Sequence, residues 1–222
     1  MSMNQWIFGS CSLALGLVAV LYNVDVRLPG NNQGYAPVQP IAFSHRIHAG
    51  ELSMDCQYCH YGARQSRHAG VPSASVCMNC HKTVTASADV LLAERVAAQE
   101  ENREQNLIVS DELRKLYDAL GLDDELNPDP SKEPTPIEWV RVHNLADFVY
   151  FDHRVHVARN VACETCHGPV QGMDRLRQES DLSMGWCIEC HRSQSFNAHD
   201  VTPGDAGRIK DHVSTNCVSC HL

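Results

Sequence analysis

Ten of the chain's 11 cysteines fall into five copies of one pattern, Cys-x-x-Cys-His. The copies are Cys56/Cys59/His60, Cys77/Cys80/His81, Cys163/Cys166/His167, Cys187/Cys190/His191 and Cys217/Cys220/His221. Thiols three positions apart reach the two vinyl groups on one porphyrin edge, and the adjacent imidazole then comes up beneath the iron. Each copy therefore reads as one covalently attached haem c, five in all, with His60, His81, His167, His191 and His221 as proximal ligands.

Zinc is the competing chemistry. Seventeen residues lie between Cys59 and Cys77 and twenty between Cys166 and Cys187, both close to zinc-ribbon spacing. The histidines decide against it. With 13 histidines in 222 residues, chance places one after all five pairs about once in a million. A zinc ribbon needs no such His, and the fifth pair has no partner pair. A disulfide framework explains the neighbouring histidines no better, and three-residue loops suit disulfide geometry poorly.

Eight histidines remain for the five distal positions. Phe43-Ser44-His45-Arg46-Ile47-His48 recurs 108 positions later as Phe151-Asp152-His153-Arg154-Val155-His156. Histidines three apart project from one side of a helical turn, so one reaches the local haem and the other a neighbouring haem. His45 is expected at the haem of Cys56/Cys59 and His153 at that of Cys163/Cys166, with His48 and His156 reaching across to other haems. For the fifth distal position spacing leaves His143, His212, Met184 and Met173 open, with His143 leading. A His/Met haem would have a higher potential than its bis-His neighbours. His68 and His199 lie in polar surroundings and read as solvated.

The positioning elements are sparse. The chain is 6% aromatic, and one haem per roughly forty residues leaves little room for an ordinary core, so the porphyrins must serve as the apolar interior. The expected fold is mostly α and irregular, with short helices and loops wrapped around five haems and almost no sheet. Residues 37–126 form a first lobe with haems 1 and 2, and residues 138–222 a second with haems 3 to 5. Between them, Asn127-Pro128-Asp129-Pro130 to Pro136 breaks all periodicity, making residues 127–137 a linker. Ser110 followed by Leu113, Leu116 and Leu120 predicts an N-capped amphipathic scaffold helix within Thr83 to Leu122.

A net charge of −9 argues against nucleic acid as a partner and favours a redox protein with a basic docking face. Trp6 to Tyr22 is an uncharged apolar run of seventeen residues with aromatics at both ends, and no small-residue cleavage site follows it. Residues 1–25 therefore read as one N-terminal transmembrane anchor in preference to a cleaved signal peptide. Cys11 inside it is a small apolar residue, in a poor setting for lipidation. Haem attachment to this motif belongs to the exported side of an energy-transducing membrane, which places the haem domain on the periplasmic side of the inner membrane.

These residues resemble the pentahaem cytochrome c subunit of alternative complex III, the ActA-type subunit. The likeness covers about Pro37 onward together with the anchor. It rests on QPIAFSHRIHAG, on DCQYCH followed by VPSASVCMNCH, on FVYFDHRVH, and on SMGWCIECHR before a last CVSCH. The paired histidines are also similar to those of small class III multihaem cytochromes. The resemblance implies a subunit of a membrane quinol-oxidising complex whose partners are iron-sulfur and integral membrane subunits. Its acceptor would be a monohaem cytochrome c or a terminal oxidase. The charge-free stretch before the anchor departs from the pattern. A stand-alone membrane-anchored shuttle, or a quinol-dehydrogenase anchor of another respiratory enzyme, is the alternative. A multihaem enzyme would need an open iron, often marked by Cys-x-x-Cys-Lys, and the chain has none.

Overall fold

The computed structural model describes residues 32–193 and 213–221. The expected anchor, Cys11, His199 and His212 lie outside them. Among the described residues no helix is long and apolar enough to cross a membrane.

The described chain is helical and irregular, without strands beyond two isolated bridges, Leu122 with Pro128 and Val149 with His221. The helices are α1 (Cys56–Cys59), α2 (Ala74–His81), α3 (Ala88–Glu100), α4 (Asp111–Ala119), α5 (His153–Ala158), α6 (Cys163–His167) and α7 (Met184–Ser193). A π-helical turn spans Arg46–Glu51, and 3-10 turns span Tyr61–Arg64, Val170–Gly172 and Cys217–Ser219.

Local side chains start several of these elements at the motifs. The Asp55 carboxylate accepts the Gln57 N–H at 2.7 Å to open α1, and the Asn216 side chain accepts the Val218 N–H before the fifth motif. α6 stops directly after His167, because Gly168 takes φ +70 and a Cβ there would come within 2.6 Å of the Glu179 side chain.

The scaffold between motifs two and three is two helices, where the leucine spacing predicted one. Asn102 takes a left-handed φ of 51 after α3. The turn is held by Arg103, whose guanidinium donates to Glu94 at 2.6 Å, and by the Asn106 N–H donating to the same carboxylate. Ser110 caps α4 by accepting the Leu113 N–H, as its position predicts. Buried Tyr117 donates its hydroxyl to the His81 carbonyl at 2.5 Å, which fixes α4 against the end of α2.

The proline-rich stretch folds back onto α4. The Asp129 N–H donates to Gly121 O, the Thr135 N–H to Ala119 O and the Lys132 ammonium to Leu122 O. Contacts also knit the two halves directly. The Gln39 amide makes two hydrogen bonds to the Val140 backbone, and the Arg46 guanidinium pairs with Asp174 at 3.0 Å. Gly50 faces the Gln171 carbonyl so closely that a Cβ would lie 2.3 Å from its oxygen. Gly50→Ala is expected to destabilise the holoprotein by about 1–3 kcal/mol through overpacking against backbone, measurable as a lowered denaturant midpoint.

The polypeptide itself buries little. Among the described residues the buried apolar side chains are Ala63, Ala86, Ala98, Leu116, Tyr117, Val142 and Met173. Three are alanines, so protein side chains alone make no continuous core.

Candidate haem sites

The two F-x-H-x-x-H segments build the same aromatic cluster twice. Phe43 meets His45 edge-on at 5.0 Å and stacks on His48 at 4.3 Å, while Phe151 meets His153 at 4.8 Å and stacks on His156 at 4.7 Å. Each Phe thus braces one imidazole from the side and one from the face. The second imidazole is further tied to its own turn, because His48 Nδ1–H donates to Ser44 O and His156 Nδ1–H to Asp152 O, both at 2.8 Å.

The segments have diverged at their caps. Asp152 accepts the Arg154 N–H and pairs with the Arg154 guanidinium at 2.5 Å. In the first copy Ser44 stands at this position, and the carboxylate that serves Arg46 and the Ser44 hydroxyl comes from Asp174 in the other half. The hydrogen bond from Arg154 holds the Asp152 carboxyl down at about 2. A depressed folded pKa contributes stability fully above the unfolded carboxylate value of about 3.9, which is lost as pH falls through about 2. Asp152→Asn is therefore expected to flatten the loss of stability between about pH 4 and pH 2, read from denaturant melts of both proteins across that range.

Each of the four paired histidines faces one motif histidine across a gap. Ring centroids are 6.5 Å apart for His45 and His60, 6.0 Å for His48 and His81, 6.3 Å for His153 and His167, and 6.2 Å for His156 and His191. With a metal–nitrogen bond of ~2.0–2.1 Å and ~1.1 Å from Nε2 to the ring centre, imidazoles trans on one metal hold their centroids about 6.2–6.4 Å apart. His48 and His156 thus reach the second and fourth motifs, while His45 and His153 face the first and third.

Tautomers fit the same geometry. His60 Nδ1–H donates to Gly70 O at 2.6 Å, His81 to Val84 O at 2.8 Å, His153 to Arg67 O at 2.7 Å and His191 to Ser214 O at 2.9 Å. A carbonyl only accepts, so Nδ1 carries the proton and Nε2 keeps its lone pair for a metal. The Arg67 contact also joins the halves, since it lies between the first two motifs and orients a histidine of the second repeat. Its guanidinium sits 4.6 Å over the Tyr150 ring. His45 is the exception, its Nδ1 buried without a hydrogen-bond partner. Burial, with His60 and His48 adding to it, lowers its pKa to about 4, so the ring is neutral and able to ligate.

The fifth motif packs on the residues just before the second repeat. The Tyr150 N–H donates to Cys220 O at 2.7 Å, and the Phe148 ring lies 5.8 Å from that of His221. His143, the leading candidate for the fifth distal position, lies beside the third motif. Its Nε2 is 3.2 Å from His167 Nδ1, the rings nearly perpendicular at 79°. The reason is tertiary: the Gln39 amide pins Val140, and the burial of Val142 then carries the next residue toward the third motif. Met173 is buried, with its carbonyl accepting the Arg46 N–H, Met184 is 65% exposed at the start of α7, and His68 is exposed.

The cysteine pairs follow one another in space in an order that differs from the sequence. Burial raises the Cys59 thiol, with Cys77 the next cause, which places the second pair beside the first. Cys163 is raised by burial and then by contact with Cys56, joining the third pair to the first. Burial pushes Cys166 up to about 11, with Cys190 next, and Cys187 is raised by burial and then by Cys220. The line runs second, first, third, fourth, fifth.

Donor chemistry separates haem from zinc. Among the described residues no three or more His, Cys, Asp or Glu side chains converge on a point where a metal ion could sit. The imidazoles come instead in opposed pairs beside paired cysteines, leaving the plane between them for a macrocycle. This arrangement defines a multihaem cytochrome c. The chain belongs to the family of cytochrome c7 and related cytochromes c, which it matches over residues 41–105 and 149–222. It is also similar to the menaquinone reductase multihaem cytochrome c subunit of Nitratidesulfovibrio vulgaris. The two are 23% identical over 203 residues, covering 82% of this chain and 76% of that protein.

Phe43 and Phe151 are visible in the repeated segment, but their bracing of the two imidazoles is not assigned from the sequence. The carbonyls of Gly70, Val84, Arg67 and Ser214 left no signal, since any residue type supplies one.

Proposed function

We propose that this chain is an electron-transfer subunit of a membrane respiratory complex that exchanges electrons with quinone, holding five haems c at the five Cys-x-x-Cys-His motifs. The observation that carries the reading is the set of four opposed imidazole pairs at 6.0–6.5 Å, with each cysteine pair neighbouring the next. His45, His48, His153 and His156 would hold the first, second, third and fourth haems together with His60, His81, His167 and His191. Haem c bound there supplies reversible one-electron chemistry at iron. At the four paired sites the chain's own work would be to present two imidazoles to one group so that substrate is kept off it, to hold most of those imidazoles in one tautomer through Nδ1 hydrogen bonds, and to space the attachment sites.

The finer reading is the quinol-oxidising direction of alternative complex III. Iron-sulfur and integral membrane subunits are the donor side, and a monohaem cytochrome c or terminal oxidase is the acceptor. The haem domain stands on the periplasmic side of the inner membrane, held by the N-terminal span. The relative's name favours a second reading, in which the same relay delivers electrons to menaquinone. Purified from its native membrane, the complex should contain large membrane subunits and reduce a monohaem cytochrome c with added quinol. Electron flow only toward quinone would select the second reading.

The spatial order gives a sharper test. Cys77→Ser with Cys80→Ser should leave four haems that still equilibrate electrons as one group, because the second site ends the line. Cys163→Ser with Cys166→Ser should split the remaining four into two pairs. If the first pair of substitutions isolates one haem from the other three, the relay follows sequence order instead.

A further inference from the structure

We propose that His143 is a positioning residue of the third haem site, holding and polarising the proximal His167 through a hydrogen bond from His167 Nδ1–H to His143 Nε2. The inference rests on the haem reading above. On the haem reading His167 ligates through Nε2, opposite His153 whose ring centroid is 6.3 Å away, which puts its proton on Nδ1. The partner nitrogen 3.2 Å away then has to be an acceptor. Its lone pair is engaged, and His143 Nε2 is not free to bind an iron of its own.

This site differs from its neighbours in the kind of acceptor. His60, His81, His191, His48, His153 and His156 all donate Nδ1–H to main-chain carbonyls. An imidazole nitrogen is a far stronger base than an amide oxygen. A stronger acceptor draws the His167 proton outward and gives the ligating nitrogen more imidazolate character. That stabilises ferric over ferrous iron, and second-shell hydrogen bonding of this kind sets haem potential. The consequence is a third haem held more reducing than it would be with a carbonyl acceptor. Its place is the middle of the line, between the first and fourth sites, where a change of potential alters flow in both directions.

The test compares His143→Phe and His143→Gln in the full-length holoprotein. Both variants should keep five covalent haems and gain no high-spin centre. In His143→Phe the potential of one haem should rise, changing its oxidised-to-reduced ratio about tenfold, 59 mV for one electron. His143→Gln, whose amide oxygen still accepts, should move the same haem by less. That haem is identified beforehand as the one whose low-spin signal is missing from His153→Ala. A new high-spin signal in either variant would make His143 an axial ligand and overturn the inference. Unmoved potentials in a five-haem variant would overturn it too, leaving the haem reading intact. Should His143→Phe fail to mature, the shift in His143→Gln decides the matter alone. Failure of the haem reading itself would show differently, as a wild-type chain without covalent haem.

Discussion

Replacing His153 with Ala should leave all five haems attached and convert one of them from low-spin to high-spin. Attachment depends on Cys163 and Cys166, which the substitution leaves alone, whereas the imidazole opposite His167 at 6.3 Å is removed. Ferric EPR and carbon monoxide binding read the result, with one site of five opening where the wild type opens none at these four pairs. The effect is large because no neighbouring donor is free to replace the lost ligand, His143 Nε2 being engaged with His167 Nδ1 at 3.2 Å. The Phe151 ring beside His153 has no donor atom, and the neighbouring His156 is committed to the fourth motif, 6.2 Å from His191. His45→Ala should do the same at the first haem. His68→Ala, at an exposed position, should leave every haem low-spin. A His153→Ala protein that stayed entirely low-spin would remove His153 from the axial position.

The second large effect concerns the chain without haem. Produced where haem attachment does not occur, or with its ten motif cysteines replaced by serine, the polypeptide should lose most of its helical circular dichroism and show no cooperative denaturant transition. The buried apolar residues among those described are few, and three of them are alanines. Meanwhile Phe148, Val155 and Val218 stand 64%, 57% and 74% exposed on the protein surface alone. α1 and α6 are four and five residues long, far below the ~12–15 at which an isolated helix is even marginal. Such elements persist only where something large and apolar packs on them, and covalent porphyrin is that component. A cooperative transition in the haem-free chain would mean the protein carries its own core.

The chemistry of the site was largely legible in the residues, and its spatial order was not. Cys-x-x-Cys-His is a local pattern in which five consecutive residues state both tether and ligand. F-x-H-x-x-H is nearly as local, so the opposition of His45 to His60 and of His153 to His167 follows from short-range geometry. The order second, first, third, fourth, fifth depends on how the two copies of the repeat meet. They meet through their first motifs, with Cys56 against Cys163 and the Arg67 carbonyl on His153. No property of the intervening 108 positions announces that contact.

His143 shows the same limit. Its type suggested a ligand, but its place is set by Gln39, 104 positions earlier in the chain, through two hydrogen bonds to Val140. The proline-rich stretch broke periodicity as a linker would, yet its backbone N–H groups found partners on Ala119 and Gly121, and its Lys132 ammonium one on Leu122. Prolines end regular structure without saying where the chain goes next. The scaffold split in two for a similar reason. The leucine spacing is right for α4, while the turn at Asn102 is enforced by Arg103 reaching back to Glu94.

Everything above depends on covalent iron porphyrin at each motif, and intact-mass spectrometry of the isolated subunit measures that directly. The expected mass exceeds that of the polypeptide by five haems, with the ten motif cysteines at residues 56–220 resistant to alkylation. A polypeptide mass with those thiols free to alkylate, or with zinc bound in their place, would contradict it.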